Sequence, residues 1–151
     1  MNKRNLVDEL IAERRIEELR RNVSDLLIQF LGRPGSKNIA ARLYVKLVER
    51  WALSTTDAAR LIDISTGEYR SWLNGDAENL DVVELEKIQC LIGIYRYLTT
   101  LYSGHMDRVE RWLCRQNHGD LYRGSSPYEL LVGAAPNVFY LVRQQLAAQT
   151  V

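Results

Sequence analysis

The chain has 151 residues, and its 20 basic and 19 acidic side chains leave a formal net charge of +1. Hydrophobic residues make up 46% and charged residues 26%, a mixture that excludes a chain disordered throughout. The near-neutral charge also excludes nucleic-acid binding through a uniformly basic surface, so any such contact requires a local patch.

A chain of this length holds one ordinary domain or two small ones, and neither half could bury a large core alone, which favours oligomerisation. Cys90 and Cys114 lie within apolar helical patterns without paired spacings, so both are interpreted as buried thiols in a reducing compartment. No stretch approaches the roughly 18 apolar residues of a membrane span, and the charged start has no secretory apolar region. The cytoplasm is therefore the expected location.

The first 31 residues predict one amphipathic helix, and a break near residues 22–24 is left open. Its apolar positions recur at helical spacing: Leu6, Leu10, Ile11, Ile16, Leu19, Val23, Leu26, Leu27, Phe30 and Leu31. Gly32 and Pro34 supply a stop and a loop, which separates an N-terminal helical arm, residues 1–36, from the rest of the chain. Two interpretations remain: a helix packed onto its own domain, which is favoured, and a dimerisation arm.

The middle of the chain predicts a helix over about residues 39–52, two short helices after Ser54, and a long helix that ends at Gly104. Inward positions of the first are Ala40, Leu43, Tyr44, Leu47, Val48 and Trp51. Asp81 and Glu84 have the form of a capping box at the start of the long helix. That helix is expected to be the central strut.

The last third predicts helix, loop, short helix and final helix. Val109, Trp112 and Leu113 share one face of the first of these, and residues 117–124 form a polar loop. The next helix is expected to begin with Ser126 as N-cap, Pro127 first and Glu129 third, and to end at Gly133. Asn137 is expected to cap the final helix, whose apolar side is Val138, Leu141, Val142 and Leu146.

No window shows convincing strand alternation, so the fold class is predicted to be all-α. The expected domains are the arm of residues 1–36, a helix-turn-helix bundle over residues 37–103 and a small helical domain over residues 104–151.

Residues 55–73 have the pattern of a helix-turn-helix, in which two short helices pack at an angle across a tight turn. Ala59 occupies the small position of the first helix, and Ile64 comes directly after the turn. Tyr69 and Trp72 are the inward residues of the second helix. Asp63 holds the turn position where glycine is commonest, and aspartate tolerates the left-handed backbone region better than most residues.

In such a motif the second helix enters the DNA major groove, so its first and outward residues are candidate DNA contacts. They are Ser65, Thr66, Gly67, Arg70, Ser71 and Asn74. Arg70 is the best candidate base reader, because a guanidinium can donate to two acceptors on a guanine edge. A solvated helical corner is the alternative interpretation, and DNA binding is favoured over it.

Three stretches of the sequence resemble the Xre/MbcA/ParS-type antitoxins. Residues 53–74 read LSTTDAARLIDISTGEYRSWLN, and residues 91–101 read LIGIYRYLTTL. Residues 111–146 carry WL, N, L, G, SPYELL, G and LVRQQL in the family's order. The chain departs from the pattern at Gln116, where proline is usual, and at Leu121 and Tyr122, where an aromatic residue usually stands alone.

The resemblance implies an Xre-like helix-turn-helix that represses its own operon, together with a C-terminal domain that binds a RES-domain toxin, an enzyme that degrades or uses NAD. It implies that the chain is not itself an enzyme and needs no cofactor. A homodimer on operator DNA is expected. Carried over by position, the toxin-facing candidates are Trp112, Asn117, Gly124, Ser126, Pro127, Leu130, Gly133, Val138, Arg143 and Leu146.

Several of these residues also have a purely structural interpretation. The apolar candidates Trp112, Leu130, Val138 and Leu146 lie on apolar stripes that favour the core, and Ser126 with Pro127 is sufficient to start a helix. Arg143 and the loop of residues 117–124 are the better interface candidates, because polar groups are seldom buried within a fold.

Other functions are less well supported. His105, Cys114 and His118 could suit zinc chemically, but four ligands at a recognised spacing are missing. Nucleophile, phosphate-cradle and metalloprotease motifs are also missing. The main alternative is a transcription regulator without a toxin partner, and a third alternative is an interaction module that has lost DNA binding.

Overall fold

The computed structural model describes residues 3–150, with side chains from residue 6 onward, and this part of the chain forms eight α-helices without a strand. The helices are α1 (Lys3–Leu31), α2 (Ser36–Arg50), α3 (Thr55–Leu61), α4 (Thr66–Leu73), α5 (Val82–Leu101), α6 (Met106–Trp112), α7 (Pro127–Leu131) and α8 (Pro136–Gln149). The all-α prediction is confirmed for these residues. Among them, no helix combines the length and apolarity that crossing a membrane requires.

Helix α5 lies at the centre of the fold, as the sequence predicted. It contacts α1, α2, α6 and α8, and α8 packs along it more extensively than any other helix. The buried side chains of these helices belong to one connected hydrophobic cluster, which includes Tyr44, Leu91, Ile94 and Tyr140. Two hydrogen bonds also cross this core: Trp51 Nε1 donates to the carbonyl of Val109 at 3.2 Å, and Tyr44 Oη donates to that of Ala58 at 2.6 Å.

Most of the predicted helix starts are confirmed by their hydrogen bonds. The Ser54 and Ser126 hydroxyls each accept the backbone N–H three residues on, both at 3.1 Å. Asp81 and Glu84 form the capping box, with both N–H to carboxylate distances at 2.9 Å. These caps satisfy backbone donors that have no partner within the helix.

The predicted cap of the last helix is wrong. Ala135 is the N-cap of α8 and Pro136 its first residue, so Asn137 already lies inside the helix. Proline suits the first helical position because its fixed φ is helical and its missing N–H would have had no helical partner. The amide oxygen of Asn137 instead accepts a hydrogen bond from Arg20 Nη1 at 2.7 Å. Helix α8 continues to Gln149, and Val151 lies outside the described residues.

Helix α1 is continuous, without a break at residues 22–24, and it packs onto α2, α5 and α8. This arrangement agrees with the interpretation of a helix packed onto its own domain. Ile16 is the one fully buried side chain of α1 among those described. The preceding half of the helix is open to solvent, and its apolar side chains are about half exposed: Leu6, Val7, Leu10 and Ile11.

Three further side chains expected to be buried are exposed. Leu43 lies at the edge of the α2 stripe formed by Ala40, Tyr44 and Leu47, and it is 42% exposed. Leu26 of α1 is 63% exposed. Cys114 is exposed because α6 ends at Trp112, so the helical periodicity that would have turned the thiol inward is not continued. Cys90 is buried as expected.

The buried face of α8 is wider than the sequence pattern predicted. Phe139 and Tyr140 are both fully buried, whereas Val138 and Leu141 are only partly so. The reason is that α8 packs against both α5 and α1, and two neighbours cover more of a helix than a single apolar stripe would.

Candidate functional site

Helices α3 and α4 pack directly against each other across a short connection. Asp63 has φ of 59°, the left-handed backbone conformation expected for this position. The turn is closed by a hydrogen bond from the Ile64 N–H to the carbonyl of Ala59 at 3.0 Å. Ala59 is 1% exposed, so a larger side chain there would meet neighbouring atoms.

Aromatic side chains fix α4 on the body of the protein. Tyr69 and Trp72 are buried, and their rings meet the ring of Tyr44 edge to face, with centroids 6.1 and 6.0 Å apart. Edge-to-face pairs are a favourable arrangement of aromatic rings. The opposite side of α4 is thereby left facing solvent.

The predicted DNA contacts fall on this outward side, but three of the six also have a structural role. Ser65 caps α4 by accepting the Glu68 N–H at 3.0 Å. The half-buried Ser71 donates to the carbonyl of Gly67 at 3.1 Å, and Asn74 is the C-cap. Gly67 is exposed and Thr66 is half-buried. Arg70 is exposed and forms no salt bridge within the described residues, so its guanidinium is available to a ligand.

Acidic side chains meet between the start of α5 and α4: Asp81 and Glu68 both interact with Glu84. The pKa of Glu84 is raised to about 7, mainly by burial and further by the negative charges of Asp81 and Glu68, against the lowering effect of the Asp81 backbone N–H. The charge of Glu68 on α4 therefore favours protonation of Glu84 in the first turn of α5. Burial also lowers the pKa of Lys87, whose ammonium lies 5.4 Å from the centre of the Phe139 ring.

The loop of residues 117–124 is compact. Its ends are joined by hydrogen bonds from Asn117 N to Ser125 O at 3.0 Å and from Gly124 N to Asn117 O at 2.9 Å. The Asn117 side-chain oxygen accepts the Gly119 N–H at 2.9 Å, and Gly124 has φ of 87°, a conformation that suits glycine. Tyr122 is buried and anchors the loop edge-on against Trp112, at 6.1 Å between ring centres.

A groove of about 450 Å³ lies between this loop, α6 and the end of α5. Its walls carry two guanidinium groups, one imidazole and no carboxylate: Tyr102, Arg108, Trp112, Arg115, Gln116, Asn117 and His118. A smaller cavity of about 220 Å³ adjoins it, sharing Tyr102, Trp112 and Asn117. Tyr122 and Gln145 line this cavity, and the Tyr122 hydroxyl and the Gln145 Oε1 atom are buried without a hydrogen-bond partner.

Three of the residues assigned to toxin binding by resemblance meet at this place. Asn117 lines both spaces, as does the buried Trp112, and Leu146 lines the smaller one. Gly124 lies at the end of the adjacent loop.

Several residues that line the two spaces were not among those predicted from the sequence, and the polar ones include Arg108, Arg115 and Gln145. Helical spacing gave no signal for the two arginines together, because Arg108 lies on α6 and Arg115 comes after its last residue, Trp112.

The other candidates lie around α7 and α8 and have structural roles. Ser126 is the buried N-cap of α7, Pro127 is its buried first residue, and Gly133 comes after it with φ of 69°. Leu130 and Val138 are partly buried against the core.

Arg143 does not lie on an open helix edge. It is half-buried between α8 and α5, so close to Gly93 that a Cβ atom there would lie 2.5 Å from its Nε. It also lines a cavity of about 240 Å³ with side chains of α1 and α5. The expectation that this polar group is not buried is therefore wrong, because the absence of a side chain at Gly93 lets the arginine pack against α5. Its role in toxin binding stays a prediction.

Among the described residues, no group of three or more His, Cys, Asp or Glu side chains is placed to hold a metal ion. No protein-family model, curated protein or solved structure matches the chain.

Proposed function

We propose that this protein is an antitoxin of a type II toxin-antitoxin system. In this proposal α3 and α4 act as a helix-turn-helix that binds operator DNA as a homodimer and represses the operon. The carboxyl-terminal surface binds and neutralises a RES-type, NAD-targeting toxin. The chemistry belongs to the toxin, and this chain acts by binding alone.

The observation that carries the DNA-binding part is the exposed Arg70 on the outward side of α4. The opposite side of that helix is fixed by Tyr69 and Trp72, and the turn before it has Asp63 in the left-handed conformation. A rigid helix with an unpaired guanidinium pointing outward suits insertion into a major groove. The net charge of +1 means that specific contacts must contribute more here than general attraction to phosphates.

The toxin-binding part is supported by the motif order in residues 111–146 and by the surface that those residues form. The loop of residues 117–124 is held rigidly by its own hydrogen bonds while His118, Asp120 and Arg123 remain exposed. A preorganised polar loop loses little conformational entropy when it binds a partner, which favours a tight complex. The identity of the partner as a RES-type toxin rests on the resemblance.

The DNA-binding part is tested by fluorescence anisotropy with a labelled duplex taken from upstream of the gene. Arg70→Ala is expected to weaken binding by about 1 to 3 kcal/mol and to relax preference at one base pair. Arg96→Ala is the matched control, because it removes an exposed arginine away from α4. Arg96 lies on α5 about 18 Å along the helix from Glu84, the residue that interacts with Glu68 of α4. Equal affinity of the Arg70→Ala variant and the unmodified protein would contradict the assignment.

The toxin-binding part is tested by coexpression with the product of the neighbouring reading frame. We expect a RES-type protein that copurifies with this chain and loses its toxicity. Arg123→Glu, in the exposed loop, is expected to weaken the complex at least tenfold, whereas Arg33→Glu, in the exposed connection after α1, is expected to leave it unchanged. Operator binding without any copurifying partner would favour the regulator alternative.

A further inference from the structure

The groove beside α6 has the charge of an anion site. Arg108 and Arg115 lie on its walls with His118, while no aspartate or glutamate lines it. Asn117 adds an amide whose oxygen is already engaged with the Gly119 N–H, so its NH₂ group remains as a donor. Arginine donates through a planar fork that matches the oxygens of a phosphate or a carboxylate.

The adjoining smaller cavity has unsatisfied polar atoms. Tyr122 is only 5% exposed, and its hydroxyl has no hydrogen-bond partner, nor does the buried Oε1 of Gln145. A buried polar atom left without a partner costs about 1 to 3 kcal/mol. Tyr122 and Gln145 both line this cavity.

The two spaces adjoin each other, because Tyr102, Trp112 and Asn117 line both of them. The larger volume, about 450 Å³, falls within the range of roughly 300 to 1,000 Å³ that is usual for small-molecule sites. The combined site therefore has a cationic end and a neutral, hydrogen-bonding end with aromatic walls.

We propose that this site binds a small organic phosphate. The phosphate is held by Arg108 and Arg115, and the neutral hydroxyl-bearing part of the ligand reaches Tyr122 and Gln145. A hydroxyl group suits the inner end, because it donates to the Gln145 oxygen and accepts from the Tyr122 hydroxyl. This binding activity belongs to the chain alone and requires neither DNA nor a toxin, so its test is independent of the function proposed above.

Isothermal titration calorimetry of the full-length chain, at constant ionic strength in chloride, provides the test. The probes are inorganic phosphate, ribose phosphate, uridine monophosphate and uridine. At least one of the two organic phosphates is expected to bind ten times more tightly than inorganic phosphate, which fills only the cationic end. Uridine, which lacks the anion, is expected to give no measurable heat.

Variants separate a built site from general attraction to a basic surface. Arg108→Ala with Arg115→Ala is expected to weaken organic phosphate binding at least tenfold, whereas Arg111→Ala, an exposed arginine on the same helix outside the groove, is expected to leave it unchanged. Tyr122→Phe is expected to reduce the advantage of organic over inorganic phosphate without altering inorganic phosphate binding. Circular dichroism checks that each variant is folded.

The proposal is overturned if neither organic phosphate produces heat, or if both bind no more tightly than inorganic phosphate. Equal losses in the Arg108→Ala, Arg115→Ala variant and in the Arg111→Ala variant would also overturn it, since they would indicate nonspecific attraction.

Discussion

The guanidinium of Arg20 donates to both carboxylate oxygens of Glu86, with Nε–Oε2 at 2.7 Å and Nη2–Oε1 at 2.9 Å. Arg20 belongs to α1 and Glu86 to α5, so the pair ties the first helix to the centre of the fold. Because Arg20 also donates to Asn137 of α8, one side chain joins three helices. The hydrogen bond to Glu86 is the largest reason why the pKa of Arg20 is raised.

Replacing Arg20 with alanine is expected to lower the free energy of unfolding by about 2 kcal/mol. Glu86 would then be a largely buried carboxylate without its cation, and such an unpaired charge is strongly destabilising. The loss is smaller than for a fully buried pair because about a third of the Arg20 side chain is exposed. Urea denaturation measures the change, with the exposed neighbour Arg21→Ala as control.

A double-mutant cycle tests whether the pair itself is responsible. Glu86→Gln added to Arg20→Ala should recover part of the lost stability, since a neutral amide is less costly to bury than a carboxylate. Additive losses in the two single variants would show that packing, and not the ion pair, gives the effect.

The contribution of Glu84 to stability is expected to depend on pH. Its pKa in the folded chain is raised from 4.5 to about 7, so the folded state binds a proton that the unfolded state has already released. Stability from this group is therefore complete below about pH 4.5 and is lost as the pH rises toward 7. Glu84→Gln mimics the protonated form and keeps an oxygen that accepts the Asp81 N–H.

The variant is accordingly expected to match the unmodified protein at pH 4.5 and to be more stable than it at pH 8. Thermal unfolding at several pH values gives this comparison, and Glu13→Gln, on the exposed part of α1, is the control. A difference that stays constant across the range would contradict the raised pKa.

Features that depend on neighbours in sequence were predictable. The capping box of Asp81 and Glu84 needs only residues three apart, and the turn at Asp63 results from the tolerance of aspartate for a left-handed backbone. Asn137 has the same local signal as a cap, but Pro136 takes the first helical position and Arg20 binds the amide. Its actual partner lies 117 residues away in sequence, which no local pattern reveals.

The candidate sites were predictable to different degrees for the same reason. The outward side of α4 is set by one helical period, so the exposure of Arg70 was foreseeable. The groove beside α6 is assembled from α5, α6 and the loop after α6, and its inner cavity also includes α8. The unsatisfied Tyr122 hydroxyl is a property of that assembly and has no signature in the sequence.

The two halves of α1 are expected to differ in what they contribute to stability. Ile16 is 4% exposed, and Ile16→Ala should cost about 2 to 4 kcal/mol because it leaves a cavity against the core. Leu10 is 51% exposed, and Leu10→Ala should change the free energy of unfolding by less than about 0.5 kcal/mol. Urea denaturation at two protein concentrations measures both. A concentration-dependent cost at Leu10 would show that an oligomer covers this half of α1.

Gly93 and Arg143 are expected to be coupled, because the arginine occupies the space where a side chain at residue 93 would lie. Alanine is favoured over glycine inside a helix by about 1 kcal/mol, so Gly93→Ala would ordinarily stabilise α5. Here the new Cβ would lie 2.5 Å from Arg143 Nε and force the side chain to move, which offsets that gain.

Removing the Arg143 side chain should restore the stability that alanine gives over glycine within a helix. In an Arg143→Ala background, Gly93→Ala is expected to stabilise the protein by about 1 kcal/mol, whereas in the unmodified background it should be neutral or destabilising. The measurement is a double-mutant cycle by urea denaturation. Leu141→Ala, a partly buried position on the same helix, replaces Arg143→Ala as the control background, and there Gly93→Ala should show no gain. The same gain from Gly93→Ala in all three backgrounds would mean that Arg143 does not rest on α5, and its guanidinium would then be available to a partner.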